Sequence, residues 1–211
     1  MTYDRQTMDA QATANVVALE PMLNGRNFNR EAIDIARGKG GAGYKLYRLH
    51  RLTDDLTRVA TPHSACRNGC SHCCNMAVSV TQTEAREISK FIGVKYQNVG
   101  TPMPIPEAQE LYMGKPCTFL KEGKCSIYQM RPLACRVYFN MSDTPEICDV
   151  VTNPRHDIPC LNAQGVQIAQ ALALGTDFAD IREYFPPENL DKPDSMSYNQ
   201  DSQPKTAQSI S

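Results

Sequence analysis

Hydrophobic residues between positions 44 and 60 recur with the period of a helix. They lie three or four residues apart, at Leu46, Leu49, Leu52, Leu56 and Val59. Such a stripe is typical of an amphipathic helix that packs one face against a core. His50 lies off the stripe between basic neighbours, so we expect it at the surface.

Helix caps and apolar positions predict further helices along the chain. Thr81 and Glu84 can satisfy each other's backbone donors as a capping box, which places the start of a helix there. Asn29 is a candidate cap for a shorter helix. The predicted helices besides the first span residues 29–37, 82–92, 107–113, 161–174 and 177–185.

Two β-prone runs, Cys117–Leu120 and Cys125–Tyr128, flank the Gly-containing turn Lys121–Lys124. They predict a β-hairpin with a cysteine at the start of each arm. Together with the helices, this predicts an α-rich α+β fold, a small helical domain with a short hairpin organised around a cysteine-ligated metal centre.

We expect one domain in four parts. Residues 1–60 form an N-terminal helical segment, residues 61–160 carry the cysteines, residues 161–185 add helices packed on the same domain, and residues 186–211 form a disordered tail. Residues 38–43 match the G-x-G-x-x-G pattern of phosphate-binding loops, but a predicted helix rather than a strand precedes them. We therefore expect a hinge or a helix end there.

The charge balance argues against two classes of partner. With 22 basic and 23 acidic side chains, the formal net charge is −1, which provides no basic surface for nucleic acid or an anionic membrane. No apolar run of the sequence is long enough to span a membrane, and the first residues lack the apolar core of a signal peptide. We expect a soluble cytoplasmic protein.

Cysteine is the unusual component, with nine in 211 residues. Four of them lie in the segment Cys66–Cys74, in the order C-x3-C-x2-C-C. Lasting disulfides are rare in a reducing cytosol, whereas spacings of two or three residues let one turn direct two thiolates at the same ion. Metal binding is therefore the expected role of these cysteines.

Eight cysteines are the predicted metal ligands, since four more follow on predicted turns and loops. They are Cys66, Cys70, Cys73, Cys74, Cys117, Cys125, Cys135 and Cys148. The side chains of adjacent cysteines diverge, so we expect either two metal ions or one cluster of several metals. Zinc and iron, including an iron–sulfur cluster, both suit thiolates.

Other residues near the cysteines have lesser predicted roles. His63 and His72 are candidate nitrogen ligands, and Cys160 is expected to be an ordinary thiol. Basic side chains interleave with the second set of cysteines and would offset the negative charge of metal-bound thiolates. These are Lys115, Lys121, Lys124, Arg131 and Arg136.

The cysteines and the residues around them resemble a known family. The elements are C-x3-C-x2-C-C at residues 66–74, then Pro116–Leu120, Gly123–Tyr128 and Arg131–Arg136. Over residues 62–150 they are similar to the YkgJ-type cysteine-cluster family. The resemblance implies a zinc- or iron-chelating domain with the eight cysteines as ligands, and it provides no counterpart for Cys160. This domain also occurs in the much longer flagellin lysine-N-methylases, so methyl transfer is an alternative.

Three further alternatives use the same cysteines. C-x3-C-x2-C is also the spacing of radical S-adenosylmethionine enzymes, but these continue with repeated strand and helix units that the sequence does not predict. The others are an iron-dependent or iron–sulfur enzyme and a redox-sensing zinc module based on Cys73 and Cys74. No acid–base pair stands in a specific arrangement, so enzymatic activity, substrate and protein partners stay open.

Overall fold

The structure is a computed structural model that describes residues 4–67, 69–153 and 157–190. Helices dominate the described part of the chain. They are α1 (Arg5–Leu19), α2 (Phe28–Arg37), α3 (Ala42–Ala60), α4 (Gln82–Ile92), α5 (Ile105–Tyr112), α6 (Leu133–Arg136), α7 (Gln164–Leu174), α8 (Ile181–Tyr184) and α9 (Pro187–Leu190). The strands are β1 (Ser79–Thr81), β2 (Leu120–Lys121), β3 (Lys124–Cys125) and β4 (Phe178–Asp180). The prediction of an α-rich α+β fold is confirmed.

Helix α3 carries the predicted hydrophobic stripe, and its four leucines are buried in one core with α2 and α7. The prediction that His50 is exposed is wrong, since only 9% of its surface is accessible and its Nε2 has no hydrogen-bond partner. The reason is that α6 packs on α3 as well as α2 and α7, so the buried face is wider than the leucine stripe.

Helices α2 and α7 approach each other closely at Asn29 and Gly165. Asn27, not Asn29, caps α2. The Asn29 side chain instead accepts a hydrogen bond of 2.9 Å from the Gly165 backbone N–H and donates one of 3.0 Å to the Asn162 carbonyl. A Cβ atom at position 165 would lie 2.5 Å from the Asn29 Cβ, so only glycine permits this contact.

The predicted capping box of α4 is present, and its glutamate has a wider structural role. Thr81 and Glu84 satisfy each other's backbone donors. The buried Glu84 carboxyl also accepts from the Leu133 backbone N–H at 2.9 Å and from Gln170 at 2.7 Å. Glu84 therefore joins α4 to α6 and α7.

A two-stranded antiparallel sheet replaces part of a predicted helix. Residues 177–185 were expected to be helical, but Phe178–Asp180 pairs with Ser79–Thr81, and only Ile181–Tyr184 is helical. Strand pairing with a segment about a hundred residues earlier overrides the local helical preference. Asp180 then caps the short α8.

The predicted hairpin is present but shorter and tighter than expected. Leu120 pairs with Cys125 and Lys121 pairs with Lys124, which leaves Glu122 and Gly123 as a two-residue turn. Both have positive φ, 49° and 73°, as a type I′ turn requires. Cys125 therefore ends the second arm instead of starting it.

The structure describes the glycine-rich residues 38–43 and the start of the predicted disordered tail. Gly38 ends α2 and Gly41 begins α3, so the glycine-rich stretch is a helix end. Of the predicted disordered tail, Pro187–Leu190 forms a helical turn and residues 191–211 lie outside the described residues. In the described part of the chain, no helix is long and apolar enough to cross a membrane.

Candidate metal centre

A cavity of about 1040 Å³ lies where the loops that carry the cysteines meet α7 and the β1–β4 sheet. Its apolar wall includes Val78, Leu161 and Ile181. The cysteines that line it are Cys70, Cys73, Cys74, Cys117, Cys125, Cys135 and Cys160. Among the described residues that line this cavity, there is no aspartate, glutamate or histidine. Among the described lining residues, cysteine is therefore the only one of the usual ligand types of zinc, which are cysteine, histidine, aspartate and glutamate.

Four thiols form one group beside the hairpin, here named the hairpin thiol group: Cys74, Cys117, Cys125 and Cys135. The backbone N–H of Cys117 donates to the Cys74 carbonyl at 2.7 Å, which joins two of the cysteine segments directly. Burial raises the pKa of Cys117 to about 12. Burial, and then the other three thiols of the group, raise the pKa of Cys135 well above its ordinary value.

Three other cysteines form a second group, here named the loop thiol group: Cys66, Cys70 and Cys148. Burial, followed by the proximity of the Cys66 thiol, raises the pKa of Cys148 to about 12. The Cys66 thiol also donates to the Tyr138 carbonyl at 3.7 Å. Burial raises the pKa of both Cys66 and Cys148, and the nearby Cys70 thiol contributes to both shifts, so Cys70 lies near the other two.

Cys73 lies between the two groups. The Cys73 thiol donates a hydrogen bond to Cys74, which lowers the pKa of Cys74 to about 7 and raises the pKa of Cys73. Cys135 in one group and Cys66 in the other raise the pKa of Cys73 further. The adjacent thiols of Cys73 and Cys74 therefore have different surroundings.

Two arginines, Arg131 and Arg182, lie near the thiols and affect their pKa values. The sequence identified only Arg131. Arg131 lines the cavity, where its charge helps to lower the pKa of Cys74 and offsets part of the burial effect that raises the pKa of Cys66. Arg182 also helps to lower the pKa of Cys74 and offsets part of the burial effect that raises the pKa of Cys117. No local pattern in the sequence distinguishes Arg182, because β4 and α8 bring it to the cysteines from near the end of the described chain.

Arg182 also holds the cysteine segments in place. It is buried and forms an ion pair of 2.9 Å with the buried Asp180. Its guanidinium donates to the carbonyls of Met76, Lys115 and Pro116, at 3.2, 2.7 and 3.2 Å. It therefore connects the chain just after Cys74 to the chain just before Cys117.

The remaining predicted residues have other positions. Lys124 lines the cavity, whereas Arg136 pairs with Asp54 and donates to the Arg131 carbonyl, so it positions the loop of Arg131. His63 and His72 lie in short helical turns, Thr61–His63 and His72–Asn75. Neither histidine is among the residues that line the cavity.

The chemistry of these donors suits zinc or iron, although the thiols do not form a closed ligand shell. In the described residues, no three Cys, His, Asp or Glu side chains are arranged to hold one metal ion. Thiolates without carboxylate neighbours favour zinc or iron over magnesium or calcium. Burial and neighbouring thiols raise the pKa values of Cys117, Cys135 and Cys148, so the protonated thiols are favoured at neutral pH in the absence of a cation.

The fold and the site define an α-rich domain whose loops bring thiols together around a cavity. Residues 65–156 match the model of the CxxCxxCC family, described as a "putative zinc- or iron-chelating domain". The match confirms the resemblance that the cysteine motifs predicted. It covers less than half of the chain and ends before Cys160. No curated protein and no solved structure matches the chain.

Proposed function

We propose that this protein binds zinc or iron through cysteine thiolates and that the metal stabilises the arrangement of residues 61–160. The observation that carries the proposal is the grouping of thiols around a cavity whose described lining contains no carboxylate or imidazole. The family match over residues 65–156 supports chelation of these two metals. The proposed ligands are Cys66, Cys70, Cys73, Cys74, Cys117, Cys125, Cys135 and Cys148.

The electrostatics of the thiols support this role. Burial and neighbouring thiols disfavour several thiolates in the same small volume, as the raised pKa values of Cys117, Cys135 and Cys148 indicate. A bound divalent ion would supply the positive charge that keeps these cysteines deprotonated. Arg131 and Arg182 would reduce the remaining negative charge.

The metal is also expected to contribute to folding. The segments that carry the cysteines contain only short helices and a two-residue-per-strand hairpin. Structural zinc in small domains provides roughly 10–16 kcal/mol of apparent binding free energy, compared with a net domain stability of about 5–15 kcal/mol. We place the protein in the cytoplasm, where reducing conditions keep free cysteines available to metal.

X-ray absorption at the zinc and iron edges of protein purified without air tests the ligands directly. We expect a shell of sulfur atoms at about 2.3 Å from the metal. Scattering between neighbouring iron atoms would identify an iron–sulfur cluster, and its absence would identify separate ions. Replacement of one ligand in Cys135→Ser should reduce the sulfur signal. A shell of oxygen and nitrogen alone would contradict the proposal.

A further inference from the structure

Cys160 lies next to the loop thiol group, although the family match ends before it. Its backbone pairs with Asn140 in an antiparallel bridge. The residues on both sides strengthen this pairing, with Met141 donating to Pro159 at 2.8 Å and Leu161 donating to Phe139 at 3.0 Å. Cys160 is therefore held at a defined position relative to Asn140.

Asn140 is fully buried and also holds the segments of Cys66 and Cys148. Its carbonyl accepts from the backbone N–H of Ala65, the neighbour of Cys66, at 2.9 Å. Its side-chain Nδ2 donates to the Cys148 sulfur at 3.4 Å. One buried asparagine thus gathers three cysteines that are far apart in the sequence.

Cys160 is an exposed residue at the wall of the cavity, whose described lining includes Cys70 but neither Cys66 nor Cys148. Cys160 lines the cavity together with Cys70, and its thiol interacts with the Tyr138 hydroxyl. Tyr138 also links Cys160 to Cys66, because its carbonyl accepts from the Cys66 thiol at 3.7 Å. A tetrahedral thiolate site needs four ligands, a number that the hairpin thiol group has and the loop thiol group, with three, lacks. In either group a bound ion would have to draw the thiols together, since among the described residues no three are placed to hold one ion.

We propose that Cys160 is the fourth ligand of the loop thiol group, so that Cys66, Cys70, Cys148 and Cys160 bind one zinc or iron ion. This inference rests on the proposed function of metal binding. The hairpin thiol group binds the second ion. Cys73, the remaining proposed ligand, lies between the two sites and adjoins both thiol groups.

Metal titration of the full chain tests the role of Cys160. Zinc is measured in competition with a chromophoric chelator, without air, for the wild type, Cys160→Ser and the control Met22→Ser, whose exposed side chain does not line the cavity. We expect Cys160→Ser to retain one tight site and to weaken the other by roughly tenfold or more, which is at least the effect of disturbing residues around metal ligands. Met22→Ser should retain both sites. Equal zinc affinity in Cys160→Ser and the wild type would overturn the inference.

Cobalt provides a second measurement that does not depend on overall stability. The sulfur-to-cobalt charge-transfer absorption reports the number of bound thiolates, and it should decrease in Cys160→Ser. Cys160→His, which offers an imidazole ligand, should restore the second site with an altered cobalt spectrum, whereas Cys160→Ala should not. If the cobalt spectra of Cys160→Ser and Cys160→His were both the same as that of the wild type, the assignment of Cys160 as a ligand would be contradicted. A wild type without any tight site would overturn the proposed function itself.

Discussion

Single buried side chains connect the segments that carry the cysteines. Asn140 gathers the backbones near Cys66 and Cys160 and contacts the Cys148 sulfur. Arg182 joins the chain after Cys74 to the chain before Cys117. Because these connections depend on individual polar groups, substitutions at this scale should have large and specific effects.

Arg182→Met should destabilise the protein by about 3–5 kcal/mol, because it leaves the Asp180 carboxylate buried without its ion-pair partner. Chemical denaturation of the metal-bound protein measures this free energy of unfolding. Arg58→Met is the matched control, since Arg58 forms an exposed ion pair with Asp55 that should contribute less than about 1 kcal/mol. Similar losses in both variants would contradict the structural role of Arg182.

His50 should make stability depend on pH below neutrality. Burial, together with the charge of Arg136, lowers the pKa of His50 from 6.5 to about 3. Between these two pH values, the His50 imidazole is therefore neutral in the folded protein and protonated in the unfolded chain. The corresponding stability is complete above pH 6.5 and is lost as the pH falls from 6.5 towards 3, by about 5 kcal/mol at most.

His50→Leu tests this by removing the titrating group and its unpartnered Nε2. As the pH falls below 6.5, the unfolding free energy of the wild type should decrease more than that of His50→Leu. Tyr47→Leu, on the exposed side of the same helix, should keep the wild-type pH dependence. Parallel pH profiles for wild type and His50→Leu would contradict the pKa assignment.

Pairs of elements, rather than single strands or helices, set the framework of the site. Helices α2 and α7 pack closely beside the leucine face of α3. The short β1–β4 pair forms part of the cavity wall through Ser79 and Phe178. These contacts position the cavity relative to the helical core.

Gly165→Ala should destabilise the contact of α2 with α7 by about 1–3 kcal/mol, as overpacking typically does. A Cβ atom there would lie 2.5 Å from both the Cβ and the carbonyl oxygen of Asn29. Thermal or denaturant unfolding measures the effect. Gly100→Ala provides the control, because a Cβ at that position meets nothing within 4 Å. An unchanged midpoint in Gly165→Ala would contradict the close packing.

The sequence predicted those elements whose signals are local. The leucine stripe identified α3, and the Thr81–Glu84 capping box identified the start of α4. Strand β4 was missed because its pairing partner is β1, far away in the sequence. A three-residue strand has too little local preference to compete with a helical pattern.

The cysteine motifs predicted the region of the candidate site but not its internal organisation. Eight cysteines were recognised from spacing, and their role as ligands stays a prediction. The position of Cys160 and the contacts of Arg182 were missed because both depend on tertiary structure. The burial of His50 was missed because the sequence does not show how many neighbours pack around α3.

At the scale of the whole molecule, the described chain has one large core around α2, α3 and α7 and another around the β1–β4 sheet and α4, beside a smaller buried cluster of Met8, Met76, Ile147 and Cys148. The cavity with its thiols contacts both of the larger cores. Metal bound there would therefore stabilise the packing of the two cores as well as the loops. The loss of metal should affect a large part of the fold.

Removal of metal with a chelator should abolish the cooperative melting transition seen by circular dichroism. Hydrogen exchange should become fast at the Cys117 amide, which donates to the Cys74 carbonyl, and remain slower at the Leu49 amide within α3. Readdition of zinc or iron should restore both signals. A metal-free protein with unchanged helicity and an unchanged cooperative transition would show that the metal does not organise this fold.

The metal content of protein purified without air tests the central claim most directly. Elemental analysis of the folded chain should find zinc or iron in at least stoichiometric amount. Cys125→Ser and Cys135→Ser should contain less metal, and Met22→Ser, which alters an exposed sulfur-containing side chain, should contain as much as the wild type. A folded wild-type protein that contains neither metal, and whose cysteines all react freely with a thiol reagent, would contradict the account.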